Sequence, residues 1–204
     1  MSVFGDVLTF NYDTVYAGTT PPALSAPWLR ATFTDINSTT VQLKLEGVDL
    51  AASEFATTWA FNVDPTINLN SISFTLVSSV GYSGNTTPSL STNGEGAGPA
   101  HGFDIDMSLT PSAKFGQGDQ LVYTLTRTAG LSAASFLFTN GSGSIVYSGA
   151  HIQGVDNGTT SDWVSSGTPV YTSPVPEATT VAAPIFAAAL AGFTYWRRKA
   201  RRQA

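Results

Sequence analysis

The sequence predicts an all-β fold, a jelly-roll-like β-sandwich followed by a single C-terminal transmembrane helix. Three observations lead there. Apolar and polar residues alternate with period two in many short runs, as half-buried strands require. Gly, Pro and Asn punctuate the chain between those runs, and no helical periodicity longer than two turns occurs before residue 178. With 27 Thr and 22 Ser among 204 residues, the chain is rich in small hydroxyl side chains, and threonine's branched Cβ suits a pleated surface.

The strands follow in order. Val3–Tyr12 and Trp28–Ile36 are strand-like, and Asn37-Ser38 makes a hairpin turn into Thr40–Glu46, where Val41, Leu43 and Leu45 share one face. Leu50–Glu54 reads as a short helical turn, and Phe55–Val63 as a strand carrying Trp59 and Phe61 on one side. Ile72–Leu76 is the next strand. Thr86–Gly102, with its four glycines and two prolines, reads as a mobile loop. In Phe103–Leu109 the residues Phe103, Ile105, Met107 and Leu109 point inward. Leu121–Thr126, Ser135–Phe138 and Ile145–Ile152 complete the set. The organisation expected is a sandwich body over 1–165, a linker over 166–174 (its Gly/Ser/Thr character already begins near residue 156) and a tail over 175–204.

Composition excludes several classes. Hydrophobic residues make up 42% and aromatics 11%, enough for a core, so a disordered polar chain is excluded. Only 11% of residues are charged, against about 25% in an average soluble domain. Without cysteine there is no disulfide, thiolate nucleophile or zinc–thiolate site. Five of the nine basic residues, Arg197, Arg198, Lys199, Arg201 and Arg202, sit at the C-terminus. The body therefore lacks the basic surface that a nucleic-acid partner requires.

The basic cluster ends an uncharged run from Ala178 to Trp196. As a helix, its 19 residues would measure about 28 Å, close to the hydrocarbon thickness of a bilayer. Tyr195 and Trp196 stand where an interfacial aromatic belt belongs, and the arginines predict a cytoplasmic end. Immediately before the span lies Val175-Pro176-Glu177. Pro174 and Pro176 keep this segment extended and deny it strand or helix pairing, the form in which a membrane protease grips a substrate.

The order of a Val-Pro-Glu motif, an apolar helix and a terminal Arg/Lys cluster resembles the PEP-CTERM sorting signal, a tail also labelled as the C-terminal domain of ice-binding proteins. The resemblance covers about thirty residues, and Ala178 stands where the usual motif has a second proline. It implies that Val175, Pro176 and Glu177 are the recognition element and that Arg197, Arg198, Lys199, Arg201 and Arg202 are the stop-transfer cluster. It also implies a partner, an exosortase-type membrane protease of Gram-negative bacteria. The protein would be held transiently in the inner membrane, then cut near the Pro-Glu pair and delivered to the cell surface or the exopolysaccharide matrix of a biofilm. The body, which resembles other PEP-CTERM β-domains through Ala150–Val155, gains no chemistry from the likeness. Met1–Gly18 shows neither a basic nor a long apolar segment and no signal peptide is visible, so a start codon placed too far downstream is expected.

Candidate chemistry in the body is sparse. Asp104 and Asp106, with Asp156 or Asp162, are the acids that would suit Ca²⁺, but no close-set acidic loop accompanies them, and a solvated strand face is the simpler reading. The expectation is therefore no cofactor, with Ca²⁺ as the exception to test. His101 and His151 are too few for a zinc site on their own. Gly141-Ser142-Gly143 reads as a turn and not as a nucleophile elbow. Glu46 and Glu54 read as surface charges rather than a glycosidase pair. Trp28, Trp59 and Trp163 could form a stacking platform for sugar rings, but core packing is favoured for Trp59, and Trp163 is the candidate for exposed contact with a sugar ring. No catalytic residue and no metal ligand is assigned. The function expected is a non-enzymatic structural or adhesive role. The alternatives are a carbohydrate-binding module and, further off, a surface hydrolase.

Overall fold

The computed structural model describes residues 5–173. The sorting motif, the apolar span and the basic cluster lie outside the described residues. Twelve strands are present there: β1 (Val7–Ala17), β2 (Leu29–Asn37), β3 (Thr40–Gly47), β4 (Phe55–Phe61), β5 (Ser73–Val80), β6 (Thr86–Ala97), β7 (Ala100–Leu109), β8 (Gln120–Thr126), β9 (Ser142–Gly143), β10 (Ser148–Gly154), β11 (Thr160–Ser166) and β12 (Val170–Thr172). The protein is all-β, as its alternation predicts.

The strands form one antiparallel sheet in the order β5-β8-β3-β2-β1-β11-β10-β4-β7-β6, with β12 beside the start of β1 and β9 beside the start of β7. The sheet curls strongly. Phe33 on β2 and Phe61 on β4 are four strands apart, which in a flat sheet is about 19 Å. Their ring centroids are 5.2 Å apart, edge to face. Two sandwich-like layers thus close over one core. Phe33 also stacks on Phe136 at 4.2 Å, and Tyr12 meets Trp59 edge-on at 5.0 Å. These aromatics are fully buried, so each contributes a few kcal/mol of burial beyond the pairing geometry.

Several boundaries differ from the sequence reading. Thr86–Gly102 is not a loop. It forms β6 and the start of β7, joined through a turn at Gly98-Pro99. Pro88 is tolerated because β6 is an edge strand, and Asn93 absorbs an irregularity in register at φ 49°. Ser135–Phe138 is not a strand. Ser132 and Ser135 form a reciprocal capping box around a 3-10 turn, Ala133–Phe136, that drops Phe136 into the core. Leu50–Glu54 holds one turn, closed by the Glu54 amide donating to the Ala51 carbonyl at 2.9 Å. The Asn37-Ser38 turn does join β2 to β3, with Asn37 Oδ1 accepting from the Thr39 amide.

The largest difference lies past residue 156. The Gly/Ser/Thr-rich stretch from residue 156 contains β11 and, within the expected 166–174 linker, β12; β11 is central, paired with β1 on one side and β10 on the other. The compact strand-built unit runs to Ser173. Among the described residues no helix is long and apolar enough to cross a membrane.

Candidate functional site

Trp163 lies on β11 directly opposite His151 on β10. The rings stack with centroids 4.5 Å apart and planes 23° from parallel. His151 Nδ1 is 2.8 Å from the hydroxyl of Thr57, the extra residue where β4 bulges against β10. The β6–β7 turn leans on the indole: a Cβ at Gly98 would stand 2.5 Å from Trp163 Cδ1, so only glycine fits there. Trp163 is therefore half-buried, with one face on histidine and an edge against backbone. It is less free for a sugar than its place in the chain suggested.

Trp28 and Trp59 are both in the core, so the three indoles form no shared platform. Burial pushes the His151 pKa down, which keeps the ring a neutral imidazole near pH 7. A Thr–His contact is the first half of a nucleophile–base pair, but Thr57 is buried and no carboxylate hydrogen-bonds to His151 among the described residues. His101 sits exposed on β7, two strands from His151 on β10, and the two histidines share no hydrogen-bond partner.

The acids separate into three kinds. Glu46 pairs with Lys44 at 2.7 Å at the surface, as expected of a solvated charge. Asp104 is not on a solvated face. It is buried, and its two oxygens accept from the amides of Val63 and Asn93, each at 2.9 Å. Asp106 accepts from Ser108, and burial pushes its carboxyl up. Asp156 sits in the turn before β11 at positive φ, serving Thr159. Asp104 and Asp106 therefore do not converge on a cation. Among the described residues no group of three or more His, Cys, Asp or Glu side chains is placed to hold a metal.

Glu54 and Asp162 are the third kind. Both are buried, at 3% and 1% exposure, which corrects the surface reading of Glu54. Glu54 takes the amides of Ala23 and Ala51 at 2.7 and 2.8 Å, one on each oxygen. The chain from Gly18 to Pro27 passes over both acids. A Cβ on Gly18 would lie 1.5 Å from Asp162 Oδ1, so this crossing closes on the carboxylate only because residue 18 is glycine. Asp162 falls in phase with Val164, on the inward side of β11, a placement that a side with one apolar residue does not reveal in the sequence.

A concavity of about 1040 Å³ lies elsewhere on the body. Asp6, Asp35, Asp64 and Arg127 line it together with Asn37 and Ser132. Arg127 donates to Ser71 Oγ and to the Gly130 carbonyl, so its guanidinium is fixed in place. Asp64 accepts from Thr66, and those bonds with the Arg127 charge hold its carboxyl below the usual range. Asp35 accepts from the Ala133 amide, but burial outweighs this and pushes its carboxyl up. The arrangement presents acceptors and one cation around an apolar floor of Ile67 and Leu131. It has no nucleophile–base contact.

No protein-family model, curated protein or solved structure matches the chain.

Proposed function

We propose that the chain is an exported protein of the cell surface or exopolysaccharide matrix, processed by an exosortase-type membrane protease, with a non-enzymatic structural or adhesive body. The observation that carries this reading is the succession of features in the tail's sequence: Val175-Pro176-Glu177, then 178–196 without a charge, then Arg197, Arg198, Lys199, Arg201 and Arg202. The fold supports it in one respect. β12 ends at Thr172, three residues before Val175, so a cut near Pro176 would leave every described strand in the body.

The body suits a passive role. In the finer fold assignment, it is a short jelly roll. β8 lies between β3 and β5, and β7 lies between β4 and β6, the nesting expected when a long hairpin wraps around a core. Transient residence in the inner membrane and delivery outside follow from the tail alone. Mass spectrometry of the extracellular protein tests the reading. A C-terminus near Pro176 is expected, and secreted protein that still ends at Ala204 overturns it.

The concavity favours a second reading, a carbohydrate-binding module. Carboxylates, one fixed guanidinium and an aliphatic floor match the hydroxyls and apolar face of a saccharide. Binding to the host's own polymer that is lost in Asp64→Ala and retained in Trp163→Ala would place the module there. Loss in Trp163→Ala alone would return it to the His151–Trp163 stack.

A further inference from the structure

Asp162 is the most buried acid in the described body, and neither of its oxygens completes a hydrogen bond. The amides of Thr19 and Thr20 face it without closing proper bonds, and they offset only part of its desolvation. Two residues earlier on the same face of β11, Thr160 Oγ1 is also buried and unpartnered. Three oxygen atoms on one strand face therefore lack any partner. Buried polar atoms are ordinarily satisfied, and an unsatisfied group costs about 1–3 kcal/mol, more when charged.

Glu54 adds a second buried carboxylate near Asp162, close enough that its charge works against ionisation of its neighbour. Each Glu54 oxygen accepts one amide and keeps a further lone pair. Neither acid forms an ion pair: among the described residues the one ion pair is Lys44–Glu46. A surface pocket of about 400 Å³ is lined by Thr160, by Ser53, the neighbour of Glu54, and by Lys114, but by neither carboxylate.

We propose that Asp162, Glu54 and Thr160 form a binding site for one hard divalent cation of the Ca²⁺ class, beneath the Gly18–Pro27 crossing. The donor set is all oxygen, with no nitrogen or sulfur, which favours Ca²⁺ or Mg²⁺ over transition metals. Two carboxylates and a hydroxyl supply up to five oxygens, and water would complete the six to eight that Ca²⁺ takes. Ca²⁺ tolerates such an irregular set, whereas Mg²⁺ demands near-octahedral geometry. The site keeps Asp162 from the acids that the sequence offered but not Asp104, which is already satisfied by backbone amides. The inference does not rest on the sorting reading of the tail.

The test is thermal unfolding of the full 204-residue chain, stripped with chelator and titrated with CaCl₂, with MgCl₂ as comparator. An affinity of about 10⁻⁴–10⁻³ M, the range of extracellular Ca²⁺ modules, gives a Tm rise of roughly 3–10 °C by about 10 mM Ca²⁺ and a smaller one with Mg²⁺. Asp162→Asn should fold and lose the rise. Thr160→Val keeps both charges and should move the titration midpoint to about tenfold higher Ca²⁺. Equilibrium dialysis of the wild-type chain should find one Ca²⁺ per molecule, a readout that holds even if a variant fails to fold. The proposal is overturned by no Ca²⁺ retained in dialysis, by no rise in the wild type, or by an equal rise in Asp162→Asn.

Discussion

Asp104 and Asp162 are the same residue in the same kind of place, a buried position on a sheet strand, and the fold treats them differently. Asp104 is matched atom for atom: Val63 donates to one oxygen and Asn93 to the other. Those two amides belong to the residues after β4 and to the irregular middle of β6, so one carboxylate fastens two neighbouring segments to β7. Asp162 fastens nothing by a completed bond, although a glycine-led crossing is shaped around it. A buried acid that is satisfied is a structural part. One that is left unsatisfied marks a place where something else is meant to bind, or where the fold bears a cost.

The sharpest way to break this comparison is to remove each acid in turn. Asp104→Ala should lower stability by about 3 kcal/mol, because two amides lose a charged acceptor inside the body. For a domain of this size that is a Tm drop of about 6–12 °C, readable by thermal or denaturant unfolding. An effect under about 1 kcal/mol would mean that water replaces the carboxylate freely, and Asp104 would then not be a structural part.

Asp162→Asn should act in the opposite direction. In chelator at pH 7 it removes a buried charge without changing shape, and a gain of about 1–2 kcal/mol is expected. Denaturant melts of both variants side by side decide it. If Asp162→Asn destabilises as strongly as Asp104→Ala, the Thr19 and Thr20 amides satisfy Asp162 after all and the contrast disappears.

A third measurement sharpens the contrast through pH. Burial, helped by the Glu54 charge and opposed by the Thr19 and Thr20 amides, pushes the Asp162 carboxyl up. A carboxyl raised on folding holds its proton more tightly in the folded state. Its contribution is complete below the unfolded value of about 3.9 and is lost as pH rises through the folded value. In chelator the wild-type stability should therefore fall more steeply above about pH 4 than that of Asp162→Asn. Asp35 and Asp106 are raised as well and add to the slope, while Asp6 and Asp64 are lowered and oppose it. The difference between the two proteins isolates Asp162. Identical slopes would assign its burial no electrostatic consequence.

The contrast also explains what could be read from the residues. Strand β3 was legible because Val41, Leu43 and Leu45 alternate with Gln42, Lys44 and Glu46, and the inward side is wholly apolar. Strand β11 was not, because its inward side reads Thr160, Asp162, Val164, Ser166, with a single apolar residue among four. Period-two analysis detects hydrophobic faces, and a strand that buries its polar groups gives no such signal. Glu54 was misread for the same reason: the amides of Ala23 and Ala51 that justify its burial come from backbone, which leaves no trace in side-chain identity. Strand β6 was hidden by Pro88 and its glycines, which an edge tolerates and a central strand would not. The half-burial of Trp163 depends on a ring across the sheet and on a distant glycine, neither of which spacing reveals.

The smallest effect sets the floor of the scale. Glu46 is the surface counterpart of the two buried acids, and its partner is a cation, Lys44, 2.7 Å away on the same strand face. Both side chains reach solvent, so screening and the entropy of two long side chains cancel most of the attraction. Lys44→Ala should change stability by no more than about 0.5 kcal/mol, and that change should shrink further in about 1 M salt. The reason is the reverse of the one at Asp104. There a fixed amide donor has no alternative partner, whereas water solvates Glu46 as soon as Lys44 is gone. A loss of about 2 kcal/mol at Lys44, unaffected by salt, would show that this outer sheet face is covered rather than open to water. The three-way ordering of carboxylates by what surrounds them would then have to be redrawn.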